Sequence, residues 1–253
     1  MASGTVARLG GSIVACVLPA FVAVACITAN RSNLEDRSVA VNPDAPDPGS
    51  LRVARGEQLV ICGDGVRRLQ PGLHRLPALT PDVEGAAIVI DGAHDLVLDL
   101  SGVEIHGAAD GLARDQMQGF GIVLLDCKRV TIRGGKFSGF KVCLAAERCE
   151  DLVLEGLTFD GWFAQKLLST PRAENEADWL RPHANDEGEW MTNYGAAIAL
   201  NDCVGAKITR CRGRHGQNGI LLTRSHESQL IDDDFSFLSG FGVALYRLYK
   251  LKT

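Results

Sequence analysis

The chain has 253 residues, 46% of them hydrophobic, enough to bury a core as one elongated domain. Its 26 Lys and Arg are balanced by 31 Asp and Glu, with neither sign clustered, so the basic stripe of a nucleic-acid binder is missing. There is no P-loop, no G-x-G-x-x-G after a strand and no H-E-x-x-H, which sets aside nucleotide chemistry and zincin-type proteolysis.

Residues 1–29 read as a leader. Leu9–Ala29 is an uncharged apolar run of 21 residues preceded by Arg8, the shape of an export signal. Ala23-Val24-Ala25 offers a cleavage site, and Ala25-Cys26 is similar to the end of a bacterial lipoprotein signal, with Ala23 where Leu is usual. A retained membrane anchor is the alternative, which Pro19 and the glycines weaken. The body is therefore expected outside the cytoplasm, as a periplasmic, outer-envelope or secreted protein. Its membrane contact is expected only through this leader or a lipid on Cys26. Residues 30–50 are polar and proline-bearing, a flexible linker. Residues 51–84 lack a regular pattern and are expected to form an N-terminal cap over the first open sheet edge.

From Gly85 the chain repeats. Gly85–Gly107, Gly119–Phe140, Lys141–Trp162, Gly195–Gly216 and the stretch from Gln217 share one template: an alternating apolar run, a small residue, a second alternating run, then an apolar or aromatic residue and usually glycine. Period-2 alternation means strands, and a fixed repeat in the twenties means a solenoid. The small residues Ala93, Cys127, Cys149, Cys203 and Ser225 are separated by 34, 22, 54 and 22 residues. The two long steps are one repeat plus non-repetitive inserts near 108–119 and 163–194. Ten residues beyond each marker come Val103, Phe137, Phe159, Gly213 and Phe235, expected to stack inside. No helical stretch separates the strands, so the fold is not an α/β sheet but an all-β coil of parallel strands, about five turns long. Phe241–Tyr246 starts a further turn, and residues 247–253 are a tail. That ending reads as a shortened coil, with a bare edge that pairs with a partner as the alternative.

Over Gly85–Tyr246 the repeat resembles the right-handed, single-stranded parallel β-helix proteins of the pectin-lyase-like superfamily, which also holds periplasmic copper-accessory and carbohydrate-binding members. The resemblance implies a right-handed coil. It implies a carbohydrate-related activity less specifically, because this fold carries lyases, hydrolases, epimerases, adhesins and spacers.

Both inserts leave the repeat at the same phase and are expected on one edge of the cylinder, flanking a face whose floor would be the outward strand faces of Gly119–Phe140 and the next turn. In the enzymes the chain resembles, substrate lies along such a face. The longer insert carries Asp178, Trp179, His183, Asn185, Asp186, Glu187, Glu189 and Trp190. Carboxylates beside a histidine serve general acid–base chemistry, paired acids cleave glycosidic bonds, and flat aromatic rings stack on sugars. A loop that packs its tryptophans and solvates its acids is the plain alternative. His215, in Arg214-His215-Gly216, follows on the same edge and is similar to the G-H-G of polygalacturonases, without that family's aspartates. Arg181-Pro182-His183 resembles the D-P-H of alginate epimerases, with Arg181 in place of the acid.

His183, Asp186, Glu189 and His215 are thus the candidate catalytic residues, and Trp179, Trp190 and Asn218 the candidate substrate contacts. The expected partner is a polysaccharide or cell-envelope glycan, handled by a lyase, hydrolase or epimerase. A non-catalytic envelope or surface module and a periplasmic metal-accessory protein are the alternatives. No cofactor is expected. Asp232-Asp233-Asp234 has the look of a Ca2+ or catalytic acid cluster, but the repeat sets Asp232 beside Arg210 and Asp234 beside Arg212 as cross-turn ion pairs. Cys127, Cys149 and Cys203 share one column and read as a buried small-residue ladder, with a disulfide or soft-metal site as alternatives. With no C-x-x-C among the body cysteines, zinc is not expected.

Overall fold

The computed structural model describes residues 50–51, 58–77, 85–180 and 189–247. After β1 (Ser50–Leu51), the strands come in threes, one set per turn. They are β2 (Leu59–Ile61), β3 (Gly65–Leu69) and β4 (Gly72–Arg75); β5 (Ile88–Asp91), β6 (Leu96–Asp99) and β7 (Val103–His106); and β8 (Phe120–Leu125), β9 (Thr131–Arg133) and β10 (Lys136–Ser138). The following turns are β11 (Val142–Glu147), β12 (Val153–Glu155) and β13 (Thr158–Asp160); β14 (Ala196–Asn201), β15 (Lys207–Thr209) and β16 (Arg212–Arg214); and β17 (Ile220–Thr223), β18 (Gln229–Ile231) and β19 (Asp234–Phe235). β20 (Val243–Tyr246) begins the next turn, and a short helix α1 (Glu189–Tyr194) precedes β14. First, second and third strands of successive turns pair in parallel into three sheets of seven, seven and six strands. The chain is a parallel β-helix.

Each turn places its inward side chains over those of the turn before. Ile90, Leu124, Ala146, Leu200 and Leu222 form one buried file, and Leu98, Ile132, Leu154 and Ile208 another. On the third sheet Phe137 stacks on Phe159 at 5.6 Å between centroids, and Phe159 on Phe235 at 6.2 Å. Gly213 interrupts this aromatic file for a steric reason. A Cβ there would lie 2.5 Å from Phe235 and 3.1 Å from Trp162, whose rings fill the space.

Two expectations about the coil are corrected. The segment expected as a cap forms a complete turn, β2 to β4, hydrogen-bonded strand by strand to β5, β6 and β7. Its pattern is hard to read from the sequence because this turn exposes many of its side chains. Among the described residues there are accordingly six three-strand turns rather than about five. The partner of Phe137 is Ile105, not Val103, because the reversal at Ser101-Gly102 adds two residues to that turn.

The corner after the first sheet explains the marker column. A residue in the left-handed region stands on either side of it: Asp126, Arg148, Asp202 and Arg224 before, Asp95, Arg129, Asp151 and Glu227 after. Between them Ala93, Cys127, Cys149, Cys203 and Ser225 point inward and are buried. Equivalent residues on adjacent turns lie about 5 Å apart, so opposite charges meet. Arg148 grips Asp126 at 2.7 and 2.9 Å, Arg224 grips Asp202 at 2.7 and 2.8 Å, and Arg129 grips Asp95 at 2.6 Å through both oxygens. These pairs are about half exposed and screened by solvent, so they favour register more than stability. The cysteines are free thiols that donate to backbone carbonyls, Cys127 to Leu125 and Ile90 for example. Burial pushes the Cys211 thiol up to about 11, leaving it protonated and unreactive at neutral pH.

The acid run resolves differently from its expected pairing. Asp234 stands in register with Arg212 but its carboxylate accepts from Arg214 at 2.9 Å, while Arg210 turns away to Glu155. Asp233 accepts from the backbone amides of Cys211 and Ile231 at 2.7 and 3.1 Å, and burial raises its pKa.

Removing the middle ring of the aromatic file, Phe159→Ala, should cost about 3–5 kcal/mol in denaturant unfolding, with Phe159→Leu losing much less. Asp99 gives a pH signature. Arg133 donates to it at 2.8 Å and the Ser101 hydroxyl at 2.7 Å, holding its carboxyl well below the usual range. A depressed carboxyl stabilises above its unfolded value and loses that contribution as pH falls through its folded one. Asp99→Asn should therefore be less stable than the parent at neutral pH, and the gap should narrow only below about pH 4.

Candidate functional site

Both inserts leave the coil between the third strand of one turn and the first strand of the next, and they meet at the corner Arg214–Asn218. That corner is shaped from inside by Trp162. Its ring is buried, its Nε1 donates to the Asn218 carbonyl at 3.0 Å, and it lies so close beneath Gly216 that a Cβ there would sit 1.9 Å from it. Only glycine fits, and the chain bends sharply over the indole.

His215 precedes this bend with φ 59°, a left-handed conformation that is uncommon for a residue with a side chain. Its imidazole projects outward and its Nδ1 lies 2.8 Å from Oδ1 of Asp160 on β13. A carboxylate only accepts, so Nδ1 carries a proton, and in the neutral ring Nε2 is the acceptor on an exposed side chain. Asp160 belongs to an outward file of the third sheet that runs His106, Ser138, Asp160, Arg214 on consecutive turns. Within it His106 Nδ1 and the Ser138 hydroxyl are 2.8 Å apart. Asp160 was not foreseen. It stands 55 residues from His215 and looks like an ordinary outward polar residue of a strand, although the repeat itself sets it one turn below Arg214.

The shorter insert braces the corner. Its Asp110 accepts from Arg75 of the first turn at 2.9 Å, and its Arg114 donates to the His215 carbonyl at 2.7 Å. The longer insert is tied to the same corner. Gln217, fully buried, accepts from the Gln165 amide at 2.7 Å, and Gln165 Nε2 donates to the Asp178 carbonyl at 3.0 Å. The Asp178 side chain accepts from the amides of Leu168 and Ser169 at 2.8 and 2.6 Å, which lowers its pKa and staples the loop. Trp179 follows, 55% exposed.

Of the expected site residues, the structure thus brings His215 and Trp179 to one edge. His183 and Asp186 lie outside the described residues. Glu189 and Trp190 start α1, and their side chains are likewise outside the description. Asn218 does not line a surface. It is fully buried, its Nδ2 donates to Gly195 at 3.1 Å and its Oδ1 accepts from Phe241 at 3.1 Å, so its amide is consumed in closing the corner. The expected floor is also closed. Val123, Ala145, Ala199 and Leu221, outward on the first sheet, are buried in an apolar cluster to which Leu180, Met191 and Tyr194 of the longer insert contribute. The open polar face is the neighbouring one, on the third sheet. Among the described residues no three His, Cys, Asp or Glu side chains converge as a metal site, and no helix is long and apolar enough to cross a membrane.

No family model matches the chain, and no curated protein does. Among solved structures it is similar to a candidate glycosyl hydrolase from Parabacteroides merdae, at 12% identity and a TM-score of 0.33, over 72% of this chain and 81% of that one. That likeness is too remote to carry an activity across.

If Asp178 is a staple rather than a reacting acid, Asp178→Ala should open the loop 164–180 to proteolysis at least several-fold faster, while the unfolding midpoint of the coil moves little. Limited digestion with mass spectrometry reads both.

Proposed function

We propose that this protein binds or processes polysaccharide at the exposed corner around His215, between the open face of the third sheet and the longer insert. The observation that carries the reading is the Asp160–His215 pair. It is an outward imidazole held in a left-handed backbone conformation, oriented by a carboxylate from the adjacent turn. A carboxylate on Nδ1 fixes the ring and its tautomer, leaving Nε2 to take a proton from a sugar carbon or hydroxyl and to return it to a leaving oxygen. Exposed Trp179, tied through Gln165 to the same corner, offers a flat face for a sugar ring. An extended polymer suits a row of outward side chains at regular spacing better than a small substrate suits a closed pocket.

In this reading the chain is a pectin-lyase-like β-helix delivered out of the cytoplasm by its leader, where cell-envelope or environmental glycans are met. His183, Asp186 and Glu189 remain candidates to complete the site from the longer insert. A second reading, a glycan-binding envelope module without catalysis, is favoured by one observation. Two polar side chains of this region, Asp178 and Asn218, are spent on structure.

The deciding experiment is a polysaccharide panel on the full chain, with polymer shortening, new unsaturated ends and affinity all followed. His215→Ala should abolish turnover, and Asp160→Asn should reduce it by about 100-fold or more, with binding largely kept. Binding without turnover by the parent supports the module, and neither binding nor turnover on a broad panel overturns the proposal.

A further inference from the structure

The edge on which His215 stands carries a left-handed residue on each of four consecutive turns. These are Gly139 at φ 77°, Gly161 at 67°, His215 at 59° and Phe237 at 56°. The register supports the alignment: Asp160 pairs with Arg214, and Gly213 pairs with Phe235 on the next turn. The first two of these positions use glycine, the residue that reaches this conformation without cost. The last two use histidine and phenylalanine. The conformation is uncommon for a side chain in general, although this coil also uses it at its tight corner, at Arg148 and Arg224 for example.

Phe237 has no packing reason to be aromatic. Its neighbours Phe235 and Leu238 pack against the core, while Phe237 itself is 74% exposed, the most exposed large apolar side chain among the described residues. One contact holds its ring: the Arg214 guanidinium lies 5.2 Å from its centroid and is itself anchored to Asp234 at 2.9 Å. One face of the ring is thus buttressed by a fixed cation and the other is left to solvent. Successive turns are about 5 Å apart, so Phe237 occupies the position of His215 one turn further on, on the side away from Asp160. On that other side Gly161 leaves open space, since a Cβ built there would meet nothing within 4 Å.

We propose that Phe237 is the stacking platform of a sugar-binding subsite beside His215, its free face taking the C–H face of one sugar ring while the chain of the glycan continues over Gly161. The inference rests on the polysaccharide reading above and adds to it a residue and a direction: the polymer lies along the file, parallel to the axis of the coil. The anchored Arg214 cation against the ring holds the platform before ligand arrives, so less ordering is lost on binding.

The test uses the full chain and isothermal titration with cellulose-, xylan-, mannan-, galactan- and polyuronate-derived oligosaccharides. Phe237→Ala should weaken binding of the glycan that the parent takes by about tenfold, and Phe237→Tyr should restore it. Phe237→Gly supplies the second readout. Because glycine relieves the left-handed strain, this variant should lose affinity like the alanine variant, yet unfold at the same temperature as the parent or higher. A drop of several degrees instead would make the ring structural and overturn the proposal. Unchanged affinity in Phe237→Ala overturns the subsite alone and leaves the polysaccharide reading standing. A parent that binds none of the oligosaccharides overturns both.

Discussion

Parallel pairing between successive turns is the constraint from which the rest of this molecule follows. Every strand inside a sheet bonds to its equivalents one turn before and after, so its side chains are flanked by the residues one repeat away. Inward, this forces files of like size: the aliphatic ladders, the phenylalanine stack, the column of alanine, cysteine and serine at the tight corner. Outward, it forces files in which charges must alternate or be spaced, and Asp126, Arg148, Asp202 and Arg224 alternate. Extra residues can enter only where a corner tolerates them, and both long inserts use the same one.

The same constraint builds the site. Nothing in the coil folds back to bring distant groups together. Instead residues meet because they share a phase: Asp160 and His215 across one pair of turns, His106 and Ser138 across another. The inserts act afterwards. The shorter one reaches from Arg75 to the His215 carbonyl, and the longer one is stapled by Asp178 and anchored by Gln165 to Gln217. The longer insert does not border an open groove over the first sheet but covers that sheet's apolar outer face, which moves the accessible surface to the third sheet. An apolar outward column such as Val123, Ala145, Ala199 and Leu221 demands such a cover.

How much of this the sequence carries depends on whether the repeat reaches the residue in question. The fold class, the period, the marker column and the common corner of the inserts are legible from the strand alternation and the spacing of Ala93, Cys127, Cys149, Cys203 and Ser225. The first turn is not, because an outermost turn loses the alternation that burial imposes. His215 is legible as a polar residue at the end of a turn, on the edge of the longer insert, whereas Asp160 is a plain outward aspartate until the coil is closed and its partner arrives from the next turn. Asn218 misleads for the opposite reason: polar residues clustered at a corner are as readily spent on backbone groups as on a ligand, and only the burial of that amide decides. Phe237 hides in an apolar run where Phe235 and Leu238 are core. Its exposure and its left-handed backbone separate it from them once the coil is closed.

The central claim is that Asp160 fixes the His215 ring with its proton on Nδ1 and its Nε2 open to a glycan. The most direct measurement is the nitrogen chemical shifts of the His215 ring in the 15N-labelled full chain at neutral pH, with and without the oligosaccharide bound most tightly. The account predicts an Nδ1–H tautomer that reverts toward the mixture of a free histidine in Asp160→Asn, and an Nε2 signal that moves when the oligosaccharide is added. An Nε2–H tautomer, insensitive both to Asp160 and to glycan, would contradict it.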